Sequence, residues 1–410
     1  MTSATSTIDL DQIDIYNPDN YVAGPPHEVF EYLRRVQPVF RQPMPDGTFY
    51  WAVLKHADLV EVSRQPKLFS AEVGAVVLED LPPERLEQTR NMLLMMDPPK
   101  HAALRKETAP SFKARVMAQL EGRIRGICRS MLAKGAEMGD VEFVHDIAAL
   151  LPSQVVGELM ALPEEDWPQI HTWAERNSGG QDPDINPDGY VDTTSNDGSV
   201  EMAMYGMEYA RTRRGKGGDD VGAMLLAAEV DGREMTDLEF GFFFVQIVTA
   251  GNDTTRTMLS SGVLALIEHP DELAALRADR SLVPGAVEEV LRWANPLHYF
   301  RRTATEDSVL HGQRITAGDK LAMIYTSANR DEAVFLDPHR FDVRRDPNPH
   351  LSFGIAEHFC LGVHLARLEG RVFLEELLDA FATIELTGAP RRQRSNLNNA
   401  LKELPVRLVR

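Results

Sequence analysis

Apolar residues recur three and four positions apart along most of the chain, so helical periodicity dominates. From Pro26, PHEVFEYLRRV places Val29, Phe30, Leu33 and Val36 on one side. The same spacing predicts helices over 56–64, 116–132, 141–162, 164–176, 201–213 and 282–293. Thr236 to His269 forms one helical pattern far longer than the usual globular helix of about 11–12 residues. TFYWAVL, Thr48 to Leu54, reads as a strand. After Asn295 the pattern changes. Pro296, Gly312, Gly318 and Asp319 punctuate short strands, and VLHGQRITAGDKLAMI reads as a β-hairpin. Residues 330–350 are irregular, a last long helix runs from Leu361 to about Phe381, and short strands close the chain. The prediction is a mostly α (α+β) fold with small segregated β-sheets, in one domain spanning 1–410.

Two stretches read as loops, 71–96 and 177–199. The second carries Asp182, Asp184, Asp188, Asp192 and Asp197 without Lys or Arg. Its Gly, Pro, Ser and Thr content argues against a core of its own, which leaves a lid or a surface insertion. Asp184, Asn186, Asp188 and Gly189 match the start of a calcium loop. Ser195 stands where that loop needs Glu, and Pro187 interrupts it, so calcium is not expected.

Composition narrows the class. With 43 Lys+Arg against 62 Asp+Glu the net charge is −19, which argues against non-specific nucleic-acid binding. Two cysteines, Cys128 and Cys360, exclude a disulfide framework and a multi-cysteine zinc site. The first residues show no basic, apolar leader pattern. The longest apolar stretch, 240–251, is interrupted by Gly241 and Gln246 and falls short of the roughly 20 residues of a spanning helix. A cytoplasmic protein without a membrane span is expected.

The strongest chemical signal is Ser352-Phe353-Gly354-Ile355-Ala356-Glu357-His358-Phe359-Cys360-Leu361-Gly362. An irregular segment ends in a cysteine and a long amphipathic helix follows at once. Unpaired N–H groups and the positive end of the helix dipole favour a thiolate there. A dry anionic sulfur with backbone donors suits an axial haem ligand. The residues also allow a buried structural cysteine, the role Cys128 fits, or a nucleophilic pair with His358.

Residues 353–362 resemble the cysteine loop of the cytochrome P450 haem-thiolate monooxygenases, Phe-Gly-x-Gly-x-His/Arg-x-Cys-x-Gly. The one departure is Ala356 in place of the second glycine. If that position needs a positive φ, alanine costs on the order of 1 kcal/mol. Ala250-Gly251-Asn252-Asp253-Thr254-Thr255, in the middle of the long helix, resembles the family's oxygen-activating segment. Gly251 would leave room for dioxygen, Thr254 would hydrogen-bond near it or hold a water, and Asp253 would relay protons. Glu289-Val290-Leu291-Arg292 matches the family's structural Glu-x-x-Arg, which braces the irregular segment around Arg340. His101, Arg105, Arg302 and His358 match clamps for the two haem propionates. The resemblance runs nearly the length of the chain, from the Trp51 strand through DPPKHAALR and ANRDEAVFLDPHRFD to the last helix.

The resemblance implies haem b (iron protoporphyrin IX), with Cys360 as its metal ligand. It implies activation of O2 with two electrons and two protons, one oxygen atom entering a substrate C–H bond. The chain has no room for a flavin or iron–sulfur domain, so electrons come from NAD(P)H through a separate ferredoxin reductase and ferredoxin. Arg105, Lys106, Lys113, Arg115, Arg367 and Arg371 flank the thiolate side and offer a basic patch to an acidic ferredoxin. The substrate pocket falls to Leu94, Phe243, Gln246, Ala250, Leu297 and Phe300, with Val76, Val77, Leu93 and Tyr299 nearby. That set is apolar, so a hydrophobic ligand with one polar handle is expected. HFCLGVHLARLE and the tail LKELPVR look like soluble bacterial members acting on steroids or isoprenoid and branched-chain lipids. Thr257 stands where members of that group often carry Asn. The same chemistry on a terpenoid, fatty acid or macrolide, and a non-catalytic haem sensor, are the other readings; Asp253 and Thr254 argue for catalysis. A monomer is expected.

Overall fold

The computed structural model describes residues 9–186, 197–230 and 232–410. Its organising element is the helix Asp237–Glu268, opened by a reciprocal capping box between Thr236 and Glu239. Helices Leu150–Leu159, Trp167–Ser178, Asp197–Arg213, Val283–Ala294 and Val363–Ala380 pack around it. Nearly every residue from Asn252 to Leu266 is buried, which explains an apolar pattern without one clear polar face. Gly251 is part of this packing. A Cβ there would lie 3.0 Å from Val156 Cγ2, so the missing side chain serves a close helix crossing.

A five-stranded sheet runs in the order Val39–Pro43, Phe49–Val53, Lys320–Ile324, Tyr299–Ala304, Phe69–Ser70. The 49–53 and 320–324 strands are parallel, and the other pairings are antiparallel. Both faces are covered. Tyr50, Ala52, Tyr299, Ala322 and Ile324 meet one core cluster, and Trp51, Val53, Leu321 and Met323 meet another. This period of two decides which of two adjacent arginines reaches which side. Arg301 bonds to the carbonyls of Leu78 and Glu79 and to Asp80, whereas Arg302 leans the other way, toward Tyr325.

Several expectations need correction. Val141 to Leu162 is not one helix. Asp140–Glu142 is a strand pairing with Pro405–Val409, Val144–Ala148 is a π-turn, and the helix proper is Leu150–Leu159. Long-range pairing overrides the local periodicity. Over 116–132, Ala114–Met117 and a 3₁₀ turn precede the helix Glu121–Met138. The 71–96 stretch contains a helix, Pro83–Thr89, with proline at its start where no N–H is needed. Residues 179–186 are anchored rather than a free insertion. Asp182 is fully buried and meets Lys402 Nζ at 3.0 Å and the Arg394 N–H at 2.9 Å. Asp188, Asp192 and the closing half of the candidate calcium loop lie outside the described residues. Among the described residues no helix is long and apolar enough to cross a membrane.

The Glu289–Arg292 pair is wholly buried, with two bonds of 2.7 and 2.8 Å. Arg292 donates to the carbonyls of Asn329, Pro338 and Arg340. Glu289 also accepts from the Asp342 N–H, Arg345 and Asn348. The bracing reaches the Arg340 backbone, as expected, but the second guanidinium on Glu289 belongs to Arg345. Asn329 then carries the bracing on. It accepts the Leu351 N–H at 2.7 Å and donates to Ser352 Oγ at 2.8 Å, where the cysteine loop begins.

Candidate active site

The loop is closed by its own backbone. The Cys360 N–H donates to the Phe353 carbonyl at 2.8 Å, and the Gly354 N–H to Leu351 at 2.8 Å. Gly354 has φ +67° and Ala356 φ +59°, so the position of the missing glycine is left-handed and alanine is strained there. Arg367 stacks on the Phe353 ring at 5.0 Å. The final helix starts at Val363, so Cys360 precedes it by a short turn, and one backbone donor, from Gly362, reaches its sulfur. Burial pushes the Cys360 thiol up; that N–H, Arg105 and Arg367 pull the other way without overcoming it. The helix terminus therefore does not by itself make the thiolate. A metal ion on the sulfur would.

Four side chains gather beside this cysteine. Helix Lys100–Thr108 presents His101 and Arg105 one turn apart. The His101 and His358 rings lie 4.3 Å apart. Arg105 donates to the Phe359 carbonyl at 2.5 Å, next to Cys360. Arg302 comes from the sheet, and its charge acts on both imidazoles. Burial, with Arg105 and Arg302, pushes His101 down to about 4. Burial, with Arg302, His101 and Arg105, pushes His358 down to about 2.

This set is short of acceptors. Both ring nitrogens of His101 and Nε2 of His358 are buried with no hydrogen-bond partner. Arg302, 6% exposed, makes one hydrogen bond, to the Arg301 carbonyl at 2.8 Å. Buried donors without acceptors are rare in finished cores. Two carboxylates beside a thiolate-bound metal would supply what they lack, so the residues fit a haem and its propionates. Sequence reasoning missed Asp97, which accepts from Ser70 Oγ at 2.5 Å and the Ala71 N–H at 2.9 Å and fixes the turn before His101. Its place in DPPKH, four residues ahead of His101, was the available signal.

The helix Asp237–Glu268 runs unbroken through 250–255. Thr254 Oγ1 donates to the Ala250 carbonyl at 2.6 Å. Asp253 is buried, 3.2 Å from Arg256 Nη2. Gln246, Ala250 and Thr254 share one face at spacings of four and keep exposed surface. Leu94, Leu297 and Phe300 also keep part of theirs, and the Leu94 N–H lies 3.4 Å from Gln246 Oε1. Phe243 is different: at 1% exposure it belongs to the main core rather than to that surface. The basic patch is thinner than the sequence suggests. Arg367 is paired with Glu288, Arg371 with Glu121 and Glu375, and Lys106 with Glu107.

Comparison with known proteins extends these observations. A family model described as cytochrome P450 matches residues 208–408. A steroid C26-monooxygenase from Rhodococcus jostii is 35% identical over 403 residues, covering 96% of this chain and 84% of that protein. A methyl-branched lipid omega-hydroxylase from Mycobacterium bovis is 36% identical over 413 residues, covering 97% and 94%. A Mycobacterium marinum cytochrome P450 solved in complex with pseudoionone superposes with a TM-score of 0.90 at 34% identity, covering 98% of this chain and all of that one. Sequence and fold thus agree over almost the whole length with proteins that carry a haem on a cysteine loop, and the chain belongs to the cytochrome P450 family of haem-thiolate monooxygenases.

Proposed function

We propose that this monooxygenase hydroxylates a steroid or methyl-branched lipid, with Cys360 as the haem ligand and His101, Arg105, Arg302 and His358 holding the propionates. Bound haem supplies the chemistry of O2 activation and C–H oxygenation. The observation that carries the substrate reading is the partly exposed helix face where Gln246 and Ala250 lie one turn apart and Gln246 Oε1 meets the Leu94 N–H at 3.4 Å, with apolar Leu297 and Phe300 also keeping part of their surface. Such a surface suits a largely hydrocarbon ligand with one polar group. The names of the two curated relatives point the same way. Asp253 brings protons toward the reacting oxygen, and Thr254, one residue on, holds the hydrogen bond through which they arrive. Electrons come from a separate ferredoxin, which meets the face carrying the exposed Lys113 and Arg115, in a cytoplasmic, monomeric, single-domain protein.

Absorbance titration of the ferric protein tests the substrate class. A sterol enone, a methyl-branched fatty acid, pseudoionone and a cyclic monoterpene are added in turn. A saturable shift toward the high-spin form with the first or second supports the reading, and a shift with the terpenes alone overturns it. Cys360→Ala should lose the thiolate-type carbon monoxide spectrum; retention places the ligand elsewhere. Thr254→Ala should still consume NADH with a surrogate ferredoxin but divert it to hydrogen peroxide.

A further inference from the structure

Asp253 does not hold its arginine alone. Arg256 Nη2 lies 3.2 Å from Asp253 Oδ1, and Arg256 Nη1 lies 3.4 Å from Glu175 Oε1. Glu175 stands on the helix Trp167–Ser178, between two histidines. His145 Nδ1 approaches Glu175 Oε1 at 3.5 Å, and His171 Nε2 approaches Oε2 at 3.6 Å. Side-chain exposure is low at the inner pair, Asp253 at 12% and Arg256 at 9%, and higher at Glu175, 33%, and His145, 52%. One end faces the buried helix centre and the other faces water.

An arginine cannot give up its proton at working pH, so no proton passes through Arg256. What can change is how its charge is divided between two carboxylates. We propose that Glu175, tuned by His145 and His171, sets how tightly Arg256 holds Asp253, and is thereby a positioning residue for proton delivery. This rests on the role given to Asp253 above. With both imidazoles neutral, the Glu175 charge is whole and draws Arg256 away, which loosens its hold on Asp253 and lets that carboxyl turn toward Thr254. When His145 takes a proton, Glu175 is partly neutralised, and Arg256 falls back on Asp253 and tethers it as a carboxylate.

The surroundings favour His145 as the group that titrates. Its bond to Glu175 raises it from the usual 6.5, aided by Glu142 from the preceding strand and opposed by burial and by Arg256. His171 is pushed down by burial, with Glu175 opposing and with Arg256 and His145 adding to the fall. Glu175 itself is lowered, chiefly by the His145 bond. The step therefore falls above the usual imidazole value of 6.5, and product formed per NADH should rise as pH passes through it.

Two measurements test this. In the haem-loaded protein with a surrogate ferredoxin, Glu175→Gln should lower product per NADH by about fivefold or more. The spectral Kd for substrate should stay unchanged, and the pH step should flatten. His145→Gln, at a half-exposed position that folding tolerates, should flatten the same step while keeping the high-pH plateau. The second readout needs no turnover. The His145 ring, followed by NMR in protein labelled at histidine, should titrate lower in Asp253→Asn than in wild type. Without Asp253, Arg256 settles on Glu175 and weakens its hold on the imidazole. Linkage is reciprocal, so an effect of Asp253 on His145 requires one of His145 on Asp253. An unmoved His145 midpoint in Asp253→Asn, or an unchanged pH profile in His145→Gln, overturns the proposal. If instead Asp253→Asn shifts His145 but retains full coupled turnover, the role of Asp253 fails while the linkage stands.

Discussion

Arg302 gives a prediction whose sign depends on the haem. Its side chain is almost wholly buried, and its one hydrogen bond goes to a neutral carbonyl. Burial pushes its pKa down, with Tyr325 and Asp97 opposing. A buried cation loses several kcal/mol of hydration, and a single bond to a neutral acceptor returns only part of that. Asp97 offsets only part of that loss, Arg105 is a like charge, and the two imidazoles are neutral. Replacing buried charge by an apolar side chain of similar volume is commonly neutral or stabilising by about 1–4 kcal/mol. Arg302→Met should therefore raise the thermal midpoint of the haem-free chain. With haem bound the sign reverses. A buried cation facing a propionate becomes half of an ion pair, and removing one partner of such a pair costs about 3–5 kcal/mol. At about 1.4 kcal/mol per decade, haem should leave the variant more than a hundredfold faster. The assay is transfer of haem to excess apomyoglobin, run beside melts of the haem-free protein. A haem-free variant that melts lower, together with an unchanged transfer rate, would refute the reasoning and make Arg302 an ordinary packing residue.

Further consequences can be checked in the same way. Glu289→Gln leaves Arg292 and Arg345 facing a neutral amide in a site with no exposure, and should cost about 3–5 kcal/mol by chemical denaturation. Gly251→Ala should gain up to about 1 kcal/mol of helix propensity and lose it against Val156. In a Val156→Ala background the same change should raise the thermal midpoint; if Gly251 instead guards space for dioxygen, the double variant will be stable but uncoupled. The haem-free chain should lose stability on acidification. His101, His298 and His358 are held at about 4, 3 and 2 against the usual 6.5. Between pH 6.5 and about 4 the unfolded chain binds protons that the folded chain does not, so stability falls with pH across that window. His101→Phe should remove close to one proton from the uptake on unfolding at pH 5, measured from the slope of the thermal midpoint against pH.

How much of this was legible beforehand depended on whether a signal was local. The long helix declared itself through its period. His101 and Arg105 were recognisable as one face because a spacing of four is a property of a single helix. The motif residues around Cys360 and Glu289 were readable for the same reason, as short spacings that fold close to home. What was not legible came from partners far along the chain. The 140–142 strand exists because residues 405–409 pair with it, and Asp182 is buried because Lys402 covers it. The use of Gly251 turns on Val156, ninety-five residues earlier, and no local pattern says which neighbour a helical glycine will meet. The same limit hid Glu175 and His145 behind Asp253, although Arg256, three residues on, could have been suspected.

The charge balance of the protein and of its site run in opposite directions, and burial reconciles them. A chain of net charge −19 repels an anionic ligand at long range. At physiological salt that repulsion is screened beyond roughly 8 Å, so only charges close to the ligand, and out of water, decide its binding. Arg302 and Arg105 are such charges, and His101 and His358 are donors that burial has kept from carrying charge. Had the four been exposed, as each would be on an ordinary helix or strand, their attraction would be worth little in water. Set around Cys360, they make a pocket that the bare chain satisfies poorly and a dianionic haem satisfies well. The strain at Ala356 belongs to the same economy. A left-handed alanine is tolerable in a loop whose ends are pinned by the Cys360–Phe353 and Ser352–Asn329 bonds, and whose sulfur is held in place once the metal binds it.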